Sequence, residues 1–255
     1  MAITFQYCSD LHLEMELNKK WVKKYPLIVK GDILLMSGDI LLLNQLDQHS
    51  DFLDQLSENF KAVYWIPGNH EYYLLENSDA EGSFKTAVRD NVFLLNNKVI
   101  EIDDLALICT TLWSKIDPLQ TYAISRSMND FRHIKKDGHP LTVAGYNEWH
   151  ERDLDFLKAA IARYDTCKKI VMTHHVPTFM NYPRQYAGDI LNQAFATELY
   201  DLIEQSGVSH WLFGHTHCNT PEFSIGTTRL LTNQLGYVRH GEHNTFSREC
   251  CFTVN

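Results

Sequence analysis

The chain has 255 residues, 44% of them hydrophobic and 22% charged, the balance of a folded globular protein rather than a disordered, collagenous or coiled-coil one. Its 23 Lys and Arg against 32 Asp and Glu give a formal charge of −9, and no basic run offers a stripe for a nucleic-acid backbone, so DNA or RNA is not an expected partner. No apolar stretch approaches the ~20 residues of a membrane span, and the opening MAITFQYCSD lacks the basic region and apolar core of a secretory signal; a cytoplasmic location without a membrane partner is the expectation.

Runs rich in apolar and β-branched residues predict strands at Ile3 to Cys8, Ile33 to Met36, Ala62 to Ile66, Val92 to Leu95, Leu105 to Thr111, Lys169 to Met172, His210 to Phe213, Arg229 to Leu231 and Cys250 to Val254. Helical spacing links Leu46, His49, Leu53, Leu56 and Phe60, then Val143, Tyr146, Leu154, Leu157 and Ile161, then Phe195, Leu199, Leu202 and Ile203. Strands alternating with helices in the first half argue for βαβ units, and the tail after Gly214 reads as strands without a helix. No repeat or linker divides the chain, so one domain over residues 1–255 is expected. The polar stretch from Trp113 to Pro140 reads as a long loop, functional or mobile. The six cysteines contain no C-x-x-C pair and read as reduced thiols.

Five predicted strands run directly into residues that bind metals or move protons: Asp10-Leu11-His12, Gly38-Asp39, Gly68-Asn69-His70-Glu71, Thr173-His174-His175 and Gly214-His215-Thr216-His217. Residues that follow parallel strands can converge in one crevice beyond the carboxyl ends of a sheet. Asp10 and His12, like His215 and His217, stand one residue apart, so in extended chain each pair points to one side. The donors Asp10, His12, Asp39, Asn69, His174, His215 and His217 exceed the ligands of a single catalytic zinc but suit two cations. Asp39 is the natural bridge and His70 is left over. His175 is an alternative to His174 if its strand runs one residue further, although the strand-end position favours His174.

The order D-x-H, GD, GNHE, THH, GHTH resembles that of the calcineurin-like metallophosphoesterase superfamily, over a span from Asp10 to His217. The resemblance implies an α/β fold: a two-sheet β-sandwich flanked by helices, with two divalent ions, Mn, Fe or Zn, at the sheet edge. It places Asp10, His12, Asp39 and His217 on one ion and Asp39, Asn69, His174 and His215 on the other. A hydroxide bridging the ions would attack phosphorus in line, with Asn69 stabilising phosphoryl charge and His70 the transition state or leaving oxygen.

Departures narrow the class. Gly38-Asp39 is followed by Ile40-Leu41-Leu42-Leu43, without the Asp and Arg-Gly of the protein Ser/Thr phosphatases, which leaves His70 without that family's acidic partner. Asp10 stands where the lariat-debranching branch has Cys. The expectation is therefore hydrolysis of a phosphodiester or phosphomonoester in a small organic or nucleotide substrate. A nuclease on short oligonucleotides and a non-catalytic scaffold are the alternatives. Tyr72, Tyr182 and Arg184, which follow the clusters, and Arg132 in the long loop are candidate substrate contacts, with Tyr73, Arg126, Asn129 and Asp130 beside them. No coiled-coil pattern marks an oligomeric state.

Overall fold

The computed structural model describes residues 2–75 and 82–255. Its first sheet is built from β1 (Ile3–Cys8), β2 (Ile33–Met36), β3 (Ala62–Trp65), β4 (Phe84–Arg89) and β5 (Val92–Asn96), completed by the last strand, β14 (Cys251–Val254). The second contains β6 (Lys98–Ile102), β7 (Leu105–Cys109), β10 (Lys168–Met172), β11 (His210–Leu212), β12 (Phe223–Ile225) and β13 (Thr228–Leu231). The orders are β14-β1-β2-β3-β5-β4 and β12-β13-β11-β10-β7-β6. In each, four inner strands run parallel, and antiparallel strands close both edges.

The two-residue period of a strand sends alternate side chains to opposite faces. Phe5, Ile33, Leu35 and Tyr64 meet Leu107, Ile170, Met172 and Leu212 between the sheets. Their neighbours Leu34, Met36, Val63 and Trp65 face outward under Val22 of α1 (Glu16–Lys24) and Leu53 and Leu56 of α2 (Ser50–Asn59). Ile108, Val171 and Trp211 pack likewise under α5 (Val143–Arg163) and α6 (Tyr200–Gln205). Inner strands apolar on both faces are legible as continuous hydrophobic runs, and the expected two-sheet sandwich flanked by helices is the observed architecture.

The differences lie at edges and surfaces. Strands β4, β6 and β12 fall outside the predicted runs; each is an edge strand with half-exposed or exposed positions and no buried run. The third predicted helix is confined to Tyr200–Gln205, so Phe195 and Leu199 precede it. The stretch expected as a loop folds into α3 (Thr121–Ser127), α4 (Asp130–His133) and the hairpin β8 (Lys135–Lys136) and β9 (His139–Pro140). An aromatic cluster seats it on α5, with Trp113 5.1 Å from both Tyr146 and Trp149 between ring centroids, and Ile124 and Phe131 buried in the same group.

Candidate metal centre

The carboxyl ends of β1, β2 and β3 in one sheet and of β10 and β11 in the other open onto the same edge, and all seven expected donors meet there. Five of them, Asp10, His12, Asp39, His215 and His217, sit at positive φ between 47° and 77°, where an L-residue costs about 1–3 kcal/mol. The strain is offset by ties to neighbouring clusters. The amide of His215 donates to Asp10 Oδ1 (3.0 Å) and that of His70 to Asp39 Oδ1 (2.9 Å). Two glycines permit the closeness: a Cβ at Gly68 would lie 2.2 Å from Asp39 Oδ1, and one at Gly214 2.6 Å from Asp10 Oδ2.

Hydrogen bonds on the far side of each imidazole decide which nitrogen faces the centre. His12 Nδ1 pairs with Glu14 Oε1 (3.0 Å) and His217 Nδ1 with Glu242 Oε2 (2.8 Å). As carboxylates only accept, both protons sit on Nδ1. The lone pairs on the two Nε2 atoms then face each other at 2.9 Å, with Asp39 Oδ2 3.7 Å from His12 and Asp10 Oδ1 3.5 Å from His217. In the second group His174 Nδ1 donates to the Ser37 carbonyl (2.8 Å) and His215 Nε2 to that of Ala194 (3.3 Å). His174 Nε2 consequently faces His215 Nδ1 at 3.1 Å, Asn69 Oδ1 at 3.2 Å and Asp39 Oδ2 at 3.5 Å.

Acceptor atoms turned toward one another in a buried site repel unless a cation lies among them. The donor set fits two: oxygen and imidazole nitrogen suit divalent transition metals, and Asp39 Oδ2 is the atom near both groups. Burial, aided by neighbouring imidazoles, holds His12 and His215 below the usual histidine range, which keeps them neutral as ligation requires. Burial would do the same to His174, but the Asp39 carboxylate overrides it and raises the pKa to about 9, so a cation there competes with a proton.

His70 sits beside the cluster, its ring stacked on Tyr73 at 4.3 Å. Its Nδ1 pairs with Glu14 Oε1 at 2.9 Å, so Nε2 is the ring nitrogen not taken by that pair, on a residue that lines the cleft. Burial opposes charge on His70, yet Asp39 and Glu14 raise its pKa to about 9. Burial also works against charge on Glu14, but hydrogen bonds from His12 and His70 hold it down at about 2. Glu14 is thus the acidic partner of His70 that sequence reading missed; the signal was its place two residues beyond His12. Glu71 has another task. Its two oxygens accept from the amides of Asp39, Ile40 and Gly68 and from Trp65 Nε1, at 2.6–3.1 Å, locking the second and third clusters together. Burial and the neighbouring Asp39 push Glu71 up to about 8 against the pull of those donors.

Asp130 of the long loop is fully buried and accepts from Asn69 Nδ2 (2.8 Å) and Tyr73 Oη (2.5 Å). It thereby aims the Asn69 oxygen at the second group. His175 lies behind the centre, 3.1 Å from Tyr146 Oη, so the His174 alternative is the one with ligand geometry.

Above the centre opens a cleft of about 330 Å³ lined by Asp39, Asn69, His70, His215 and His217 below and by Tyr182, Tyr186, Leu191, Phe195, Met128 and Asn129 on its sides. Of the four substrate candidates, Tyr182 is on this wall. Tyr72 is not: it is buried against Trp113 and Trp149, an apolar ring captured by the aromatic cluster. Arg132 bonds the carbonyl of Arg126 and Asn129 Oδ1, and Arg184 lines a separate groove beyond Tyr182.

The sandwich and its paired donor groups define a class of protein that the comparisons identify. The calcineurin-like phosphoesterase family matches residues 3–219. Protein L509 of Acanthamoeba polyphaga mimivirus is 34% identical over 270 residues, covering 95% of this chain and 93% of its own. The chain belongs to the calcineurin-like phosphoesterase family. Among solved structures, a phosphopantetheinyl hydrolase from Mycobacterium tuberculosis matches with a TM-score of 0.70 at 18% identity, over 98% of this chain and 95% of that one. TT1561 of Thermus thermophilus matches at 0.50 and 16% identity, over 100% and 99%. At these identities the likeness is one of fold. Among the described residues no helix is long and apolar enough to cross a membrane.

Proposed function

We propose that the protein is a dimetal phosphoesterase that hydrolyses a phosphodiester or phosphomonoester of a small organic or nucleotide substrate. The observation that carries this reading is the pair of donor groups sharing Asp39 on the floor of a cleft, with His70 beside them. Asp10, His12, Asp39 and His217 would hold one cation, and Asp39, Asn69, His174 and His215 the other. Bound there, divalent ions supply Lewis acidity toward phosphoryl oxygens and make water acidic enough to yield a nucleophile near neutral pH.

The chain's own residues do the rest. Asn69, aimed by Asp130 and Tyr73, keeps its amide oxygen turned toward the second cation position. His70, held by Glu14 and ring-stacked on Tyr73, presents Nε2 as a proton donor to the leaving oxygen and as positive charge beside the phosphoryl group. The cleft wall shields the reacting bond from bulk water. The test is nitrophenol release from bis(p-nitrophenyl) phosphate and p-nitrophenyl phosphate by metal-stripped protein, before and after Mn²⁺ addition, with bound metal counted. Turnover restored by Mn²⁺ is expected; two bound ions and no turnover on either ester would sink the reading.

A further inference from the structure

The wall of the cleft constrains the substrate beyond its phosphoryl group. Among the described residues lining the cleft there is no Lys or Arg. The charged groups on its sides are Asp189 and Glu242, both acidic, interleaved with Tyr182, Tyr186, Leu191 and Met128. Glu242 is held in place by His217 Nδ1 and by the amide of Tyr237 at 2.6 Å. Asp189 Oδ1 caps the turn that carries Leu191, accepting from its amide at 2.9 Å. Neither carboxylate is paired with a Lys or Arg in these contacts.

The arginines on the two segments beside Met128 and Tyr182 are engaged or displaced. Arg132 reaches back to the carbonyl of Arg126, and Arg126 donates to Tyr122 Oη at 3.2 Å. Arg184 belongs to the neighbouring groove with Glu222. Beside the wall the ring of Phe179 lies 5.4 Å from that of Tyr182, and Leu119, Tyr122 and Met180 are further exposed apolar side chains. The amide of Asp117 donates to Gln193 Oε1 at 2.8 Å, tying the segment of Leu119 to the one that carries Leu191 on the wall.

A second anionic group on the substrate would meet two carboxylates on the wall and no guanidinium or ammonium among the described lining residues to neutralise it. An aromatic or apolar group would meet tyrosine rings, and a cationic one would gain from ring faces and carboxylates together. Resting on the phosphoesterase reading above, we infer that the site selects phosphoesters whose phosphoryl group is their only anion and whose organic portion is aromatic or apolar and either uncharged or cationic. Nucleoside polyphosphates and doubly phosphorylated metabolites are the class it rejects.

The test uses three diesters that share the p-nitrophenyl leaving group, whose release is the one reaction followed: p-nitrophenyl phenyl phosphate, its 4-carboxyphenyl analogue and its 4-(trimethylammonio)phenyl analogue. In each, water oxygen bonds to phosphorus while the P–O bond to nitrophenol breaks and its electron pair departs with nitrophenolate; the water proton passes to solvent. The expected order of kcat/KM is trimethylammonio at least equal to phenyl, with the carboxylate about tenfold lower. Asp189→Asn, which keeps an amide oxygen for the cap, should narrow the carboxylate-to-phenyl ratio.

A second readout is free of turnover. Calorimetric titration of Zn²⁺-loaded protein with phenylphosphonate and its 4-carboxy and 4-trimethylammonio analogues, whose P–C bond resists hydrolysis, should show the same order in Kd. A carboxylate probe as good as the phenyl one in either assay overturns the inference and leaves the phosphoesterase reading standing. Absence of turnover on all three diesters removes only the diester half of that reading, and the titration then decides the charge preference by itself.

Discussion

On the floor of the cleft the donor side chains are each aimed by a second contact, in most cases from a distant part of the chain. Glu14 holds His12, Glu242 holds His217, the Ser37 carbonyl holds His174, and Asp130 holds Asn69. On the wall the backbone is tied mainly to itself: Tyr182 to Phe179, Tyr186 to Pro183 and Asp189 to Tyr186, in short turns with half-buried rings between them. The floor is over-determined by two sheets at once, whereas the wall is a locally closed segment. A substitution on the floor should therefore abolish chemistry, while one on the wall should retune recognition.

The largest expected effect tests the floor directly. Asp39→Asn removes the one charge that faces both donor groups, so metal content should fall below two ions per chain and turnover by about a thousandfold. Elemental analysis beside the nitrophenol assay checks this, and wild-type occupancy and rate in the variant would dissolve the bridging role. Next in size is His70→Ala, which touches the same floor without removing a ligand. Both ions should remain bound while kcat drops about a hundredfold with KM little changed. Loss of metal from that variant would make His70 a ligand instead. The smallest effect belongs to the wall: Tyr182→Leu should raise KM for an aryl diester about fivefold, in line with the loss of one ring contact, and leave kcat within about a factor of two. A kcat loss as large as that of His70→Ala would erase the distinction between floor and wall.

The same division governs how much could be read without coordinates. The seven donors were legible because each follows a buried parallel strand, whose unbroken apolar run announces where it stops. Edge strands β4, β6 and β12 gave no such run, since solvent on one side removes the need for it. Glu14 and Glu242 were missed for a related reason. A residue that orients a ligand from behind has no spacing rule, and Glu242 is 25 positions from the His217 it holds. Tyr72 and Tyr182 were equivalent as loop tyrosines next to a cluster; only packing sends one into the Trp113–Trp149 core and the other to the cleft.

What the sequence determined by itself was local in origin: strand runs, the turns that end them, the ligand types at those ends and, through them, the family. Which nitrogen of each histidine faces the centre, which acid steadies His70 and what charge a substrate meets on the wall were decided by tertiary structure alone. Apart from His12, which its near neighbour Glu14 orients, each depends on groups tens to hundreds of residues apart being brought within a hydrogen bond of one another, and no pattern of neighbouring residues encodes that distance.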